Sequence, residues 1–181
     1  MFPTLLIPNA IEQFSIGADT IEIPKCVLDF RKWTGDPVNE TFGGKALIDV
    51  DGKPMFAELA IRDLFIKSEW QARWIETYGK SKEKPLLLAK WKDEKYRNQI
   101  AAPIKDGFVT RCLSDVAAQN NGSYFGCWDV LGWKDARIIF AESKRTKRDS
   151  IRQTQTSWLA AGLKSRLAPD NFLIVQWDFD A

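Results

Sequence analysis

Residues 125–145 read FGCWDVLGWKDARIIFAESKR. Two apolar segments flank a charged break at Lys134-Asp135 and its neighbours. The first segment, 125–133, predicts a strand, the break predicts a hairpin turn, and 137–145 predicts a partner strand centred on Ile138-Ile139-Phe140-Ala141. Alternation puts Phe125, Cys127, Asp129, Leu131 and Trp133 on one face of the first strand. On the second strand Ile138, Phe140, Glu142 and Lys144 share a face. Asp129 thus falls among apolar neighbours, where an ionised carboxylate is costly unless a cation or hydrogen bonds compensate it. A turn on Lys134-Asp135 sets Asp129 opposite Phe140 and diagonal to Glu142, and a turn one residue onward sets Asp129 directly opposite Glu142. In either register the two carboxylates meet on one face within roughly 5–8 Å.

Downstream, a helix is predicted over 150–163 with an inward stripe of Ile151, Gln155, Trp158, Leu159 and Gly162. Gln155 interrupts that stripe with an amide. A closing strand follows at 172–179, FLIVQWDF. Upstream, Leu59, Leu64, Trp70, Trp74 and Tyr78 predict one long helix over about 55–78, stopped by Gly79. Glu58 and Glu69 lie eleven residues apart on it, about three turns, and so share a face. Between this helix and the hairpin come a charged run from Lys80 to Lys84, a short strand at 86–89, and a helix over about 108–119 ending at Asn120-Asn121-Gly122. Residues 1–54 are irregular and β-leaning, broken by Pro3, Pro8, Pro24, Pro37 and Gly43-Gly44, with a strand at 45–50 that turns at Asp51-Gly52. The order of elements is that of a mixed α/β domain.

At 181 residues the chain is long enough for one domain with a sizeable core. No apolar run approaches the roughly 20 residues that cross a bilayer, so no membrane partner is expected. The absence of histidine excludes histidine-ligated zinc, Ser-His-Asp and Cys-His catalysis. Chemistry here must use carboxylates, lysine, tyrosine, cysteine or a metal held by oxygen. Cys26, Cys112 and Cys127 are odd in number and form no CxxC pair, which fits small buried hydrophobes in a reducing compartment. The N-terminus lacks a basic segment and carries two prolines, unlike a signal peptide, so a cytoplasmic protein is expected. The net charge is +2, yet residues 132–166 hold nine basic and three acidic side chains. Such a local positive field suits an anionic partner at one face.

Asp129 and Glu142 can together hold a divalent cation through oxygen ligands, with Lys144 about 6–7 Å along the strand from Glu142's position. Magnesium in that place would activate a water and neutralise charge developing on a phosphate, which is what phosphodiester hydrolysis needs. Lys144 would orient the water or stabilise the transition state. Gln155 would support the water or the scissile phosphate, or it caps its helix. Arg145, Lys147, Arg148 and Arg152 surround the loop and would bind phosphates, or they are solvated charge in a polar turn. Glu142 and Lys144 also read as an ordinary ion pair at a hairpin end.

Asp129, then Glu142-Ser143-Lys144, then Gln155-Thr156-Ser157-Trp158-Leu159, resembles the PD-(D/E)XK nuclease superfamily, most closely its VRR-NUC branch. The resemblance covers about residues 55–179. It implies a restriction-endonuclease-like mixed sheet core of order α-β-β-β-α-β flanked by helices. The core would span 55–181, with an inserted helical segment around 90–122 and an N-terminal extension at 1–54. It also implies a Mg2+ or Mn2+ site and hydrolysis of DNA. By that resemblance Asp129 and Glu142 are metal ligands, Lys144 is the catalytic lysine and Gln155 an auxiliary amide. A first-helix glutamate adds to the metal site, with Glu69 the matching position and Glu58 its rival.

The expected function is therefore that of a metal-dependent endonuclease acting on DNA, with RNA left open. One site cuts one strand, so cutting both calls for a homodimer or repeated encounters. The alternatives are a nucleic-acid-binding module that keeps the fold without turnover, and a protein-interaction factor in which Asp129, Glu142 and Lys144 form a buried ion network. The eight tryptophans are expected mostly in the core, with some available for an interface or base stacking.

Overall fold

The computed structural model describes residues 1–78 and 84–180. In chain order its elements are β1 (Ala10–Ile16), β2 (Asp19–Phe30), β3 (Leu47–Val50), β4 (Lys53–Phe56), α1 (Ala57–Lys67), β5 (Gln71–Glu76), β6 (Leu86–Leu88), α2 (Gly107–Gln119), β7 (Val130–Lys134), β8 (Arg137–Arg145), α3 (Gln153–Lys164) and β9 (Phe172–Phe179). The fold is mixed α/β. Seven strands make one sheet in the order β1-β2-β9-β8-β7-β5-β6, and β3 pairs with β4 as a separate hairpin. β9 runs parallel to both of its neighbours, β2 and β8, and every other pairing in the sheet is antiparallel.

The β7–β8 hairpin fixes the layers. Lys134 pairs with Arg137 and Val130 with Ala141, so the turn is the two residues Asp135-Ala136, the later of the two registers open to the sequence. Asp135 takes φ 52°, the left-handed conformation that tight hairpin turns require. Leu131, Trp133, Ile138 and Phe140 then face one core with Val109, Leu113 and Val116 of α2 and Trp158 and Leu159 of α3. Val130, Ile139 and Ala141 face the other way, onto Ile61 and Phe65 of α1. Gly132 permits that second layer: a Cβ there would lie 2.2 Å from the Phe65 ring.

Three sequence expectations change. The long helix over 55–78 is instead α1 followed by strand β5. Its apolar residues after Lys67 follow a period of two, with Ala72 and Trp74 facing α1 and neighbouring residues while Ile75 faces the other core. The helix closes by a Schellman arrangement, in which Trp70 N–H donates to Phe65 O at 3.0 Å and Glu69 N–H to Ile66 O at 2.9 Å. Glu69 is the left-handed residue of that stop, with φ 63°. Gly79, expected as the stop, and most of the charged run beginning at Lys80 lie outside the described residues.

The strand expected at 125–133 begins only at Val130. Residues 125–129 form an irregular approach in which Gly126 has φ 84°, and a Cβ there would meet Thr154 O at 2.2 Å. Only glycine lets this segment lie against the start of α3.

The first 54 residues are more ordered than their prolines suggest. β1 and β2 are seven and twelve residues long, and β2 joins the sheet with Lys25 beside Ile174 and Phe30 beside Phe179. Phe14 and Ile23 share a core with Trp128 and Phe172. The segment expected as an insertion carries α2, capped by Asp106, whose side chain accepts from Phe108 and Val109 N–H. Trp70, Trp74, Trp128, Trp133, Trp158 and Trp177 are all buried, so these six are core residues and not a stacking surface. No described helix is long and apolar enough to cross a membrane.

Candidate functional site

Asp129 is the last residue before β7, and two strands hold its backbone and side chain. Its carbonyl accepts from Ile75 N–H of β5 at 2.7 Å, and its Oδ2 accepts from Ser143 N–H of β8 at 3.0 Å. Continuing the β7–β8 register places Asp129 across from Glu142. Glu142 is 1% exposed, four residues short of the loop that begins at Thr146. Its Oε1 accepts from Lys144 Nζ at 2.9 Å and from Gln155 Nε2 at 2.5 Å. Its Oε2 is buried without a partner.

Gln155 is the third residue of α3, and its two amide atoms do different work. Oε1 accepts from Arg152 N–H at 2.8 Å, which satisfies a free donor at the helix start, and also from Lys144 Nζ at 3.1 Å. Both partners of Oε1 are donors, which fixes the amide so that Nε2 points to Glu142. Trp128 Nε1 donates to Gln155 O at 3.1 Å, tying α3 to the Gly126 approach. The sequence left Gln155 open between capping and site support, and it makes both sets of contacts.

The expected first-helix glutamate needs correction. Glu69 is not beside this group: its side chain is 87% exposed and pairs with Lys134 at 3.4 Å, at the far end of β7 from Asp129. The five residues of β7 separate the two by roughly 16 Å. The reason is the early end of α1, which removes Glu69 from the face it would have shared with Glu58. Glu58, in the first turn of α1, is 7% exposed and close enough to raise the Asp129 pKa.

Two further charged residues, not singled out in the sequence, complete the surroundings. Lys45, from the segment between β2 and β3, forms an ion pair with Glu58. Burial works against its charge, but Glu58, Asp129 and Glu76 outweigh this and push its pKa above the ordinary lysine value. Glu76, the last residue of β5, is itself raised by burial and partly offset by Lys45. Neither had a sequence signal: Lys45 sits in a glycine-rich segment with no periodicity, and Glu76 was assigned to a helix that is a strand.

Burial pushes the Asp129 carboxyl up, Glu58 pushes it further, and Lys45, Lys144 and the Ser143 N–H pull it back. Glu142 rises well above the usual carboxylate range by burial first and then by the charge of Asp129, and Lys144 opposes this. Two buried carboxyls facing each other cannot both ionise cheaply without more positive charge. The Cys127 thiol is also held well above its usual pKa, by burial and by Glu142 and Asp129, so it is no nucleophile.

The basic residues divide. Arg145 is committed to structure: its guanidinium lies 4.2 Å from the Phe179 ring centre and its Nε 3.4 Å from Asp178. Lys147, Arg148 and Arg152 are exposed, and among the described residues no ion pair holds them. Asp149 anchors the loop beneath them by accepting from Arg145 N–H at 2.9 Å.

Among the described residues no three histidine, cysteine, aspartate or glutamate side chains are grouped as a ready metal cage. The facing pair Asp129 and Glu142 is what the site offers to a cation, with the bare Glu142 Oε2 as a free ligand atom. Mg2+ asks for no more, because it is commonly held by one or two carboxylates and completes its shell with water and substrate phosphates. A separate cavity of about 330 Å3, lined by Phe56, Leu59, Arg62, Asp63 and Trp91 among others, includes none of these carboxylates. Comparison with protein-family models, curated proteins and solved structures found no match to this chain.

Proposed function

We propose that the protein is a Mg2+- or Mn2+-dependent nuclease of the PD-(D/E)XK type that hydrolyses DNA phosphodiester bonds. The observation that carries this reading is the placement of Asp129, just before β7, against Ser143 and Glu142 of β8, with Lys144 Nζ 2.9 Å from Glu142 and Gln155 bridging Lys144 and Glu142. The element order supports it as well. The run α1-β5-β7-β8-α3-β9 is α-β-β-β-α-β, with β6 and α2 inserted after β5, and α1 and α3 on opposite faces.

When bound, a divalent ion would supply neutralisation of phosphate charge and a water acidic enough to attack near neutral pH. Asp129 and Glu142 would hold it through carboxylate oxygens, and Glu58 is the further acid near Asp129. Lys144 carries the ammonium beside the attacking water and the scissile phosphate. Gln155 restrains Lys144 by its Oε1 and Glu142 by its Nε2, so both point into one space. Lys147, Arg148 and Arg152 would meet flanking phosphates at the edge of the site.

The test is cleavage of plasmid and branched DNA with Mg2+, Mn2+ and EDTA. Wild-type protein should cut with either metal and not in EDTA. Glu142→Ala and Lys144→Ala should each lose roughly 100-fold or more in rate while retaining DNA affinity. DNA retardation without cutting would favour the binding module, and neither cutting nor binding would favour the buried ion network.

A further inference from the structure

Lys45 reaches the site from outside the α-β-β-β-α-β run. Its side chain is 31% exposed and paired with Glu58, whose side chain is 10% exposed. Its Nζ lies 5.5 Å from the Trp74 ring centre and 5.8 Å from that of Phe42. It also feels the charges of Asp129 and Glu76. Glu58, Glu76 and Asp129 act on it, Asp129 in turn acts on Glu142, and among the described residues the ammonium groups that act on these carboxyls are Lys45 and Lys144. With all of them ionised, two negative charges remain uncompensated, which is the charge of one divalent cation.

The two lysines are held differently. Lys144 lies within β8 and is fixed by Glu142 and Gln155. Lys45 hangs on the turn Phe42-Gly43-Gly44, whose three residues all take left-handed φ values of 49°, 78° and 85°. A Cβ on either glycine would meet nothing within 4 Å, so the glycines face open space, while Phe42 packs on Trp74 and Trp91 and Lys45 N–H donates to Thr41 O at 3.0 Å.

We propose that Lys45 is the resident counter-cation of the carboxylate site and that a divalent ion binds in competition with it. This rests on the nuclease reading above. In the metal-free protein the Lys45 ammonium offsets the repulsion among Glu58, Glu76 and Asp129. An arriving divalent ion offsets the same charges more strongly and loosens Lys45 from Glu58. The Phe42 and Trp74 rings give the ammonium a place to rest by cation–π attraction.

The test is calorimetric titration of the full chain with Mn2+ at fixed ionic strength near neutral pH. Removing the competing charge in Lys45→Met should tighten Mn2+ binding roughly tenfold or more. Lys45→Arg, which keeps the charge, should stay within about threefold of wild type. If Lys45→Met does not fold, Lys45→Gln keeps a hydrogen-bond donor for Glu58 without the charge and should shift binding the same way. Mn2+ binding to wild type that is unchanged or weaker in the uncharged variants overturns the proposal and leaves the nuclease reading intact. No Mn2+ binding to wild type at all overturns both.

Discussion

Gln155 is the residue where local folding and site geometry coincide. Its Oε1 ends a helix-start donor and its Nε2 orients Glu142, so one truncation should be felt twice. Gln155→Ala is expected to cost about 1 kcal/mol in urea unfolding, the usual range for a lost helix-start contact. It should also lower the cleavage rate roughly tenfold or more, because Lys144 loses one of its two restraints. A stability loss with unchanged cleavage would reduce Gln155 to a cap. The sequence exposed this residue as the one amide in an apolar stripe, and Asp129 as the one acid among apolar neighbours on a strand face. Lys45 had no comparable contrast with its surroundings, because the acids that act on it lie 13 residues or more away.

Among the elements, those with an unbroken period were legible. Strands β8 and β9 fall on the expected ranges because each is an apolar run buried on both faces, and α2 and α3 lie close to theirs because each turns one apolar face to the core. The boundary between α1 and β5 was not legible. Trp70, Trp74 and Tyr78 are spaced as a helix would space them, and no glycine or proline marks the stop. The stop is tertiary in origin: Phe65 and Trp70 meet edge to face, with ring centres 5.8 Å apart, across a left-handed Glu69. A glutamate in that conformation is strained by about 1 kcal/mol. Glu69→Gly is therefore expected to raise the melting temperature by about 2–4 °C, less a few tenths of a kcal/mol for the exposed pair with Lys134. Mn2+ affinity should not change, whereas a loss of affinity would return Glu69 to the metal site.

Over the whole molecule, the segment between β2 and β3, β5, the β7–β8 hairpin, α1 and α3 converge on a patch of buried acid, and that patch should show in the pH dependence of stability. The Asp129, Glu142 and Glu76 carboxyls are all raised in the folded protein. Above the ordinary carboxylate range, near pH 4, the folded chain thus holds protons that the unfolded chain has released. Stability in EDTA should fall as pH rises above the ordinary carboxylate range and through the raised values. Mn2+ should recover more stability at the upper end than at the lower. Glu142→Gln should flatten the slope, and an equal slope in that variant would mean Glu142 does not titrate as its burial requires. The pairing of β7 with β8 was legible from period-two patterning. The contribution of residues 1–54 was not, because β2 pairs in parallel with a strand more than 140 residues away.

The most direct measurement is an anomalous difference map from a crystal soaked in Mn2+. One peak bonded to an oxygen of Asp129 and to Glu142 Oε2 is the expected result. Saturating Mn2+ with no peak between those two side chains would contradict the account.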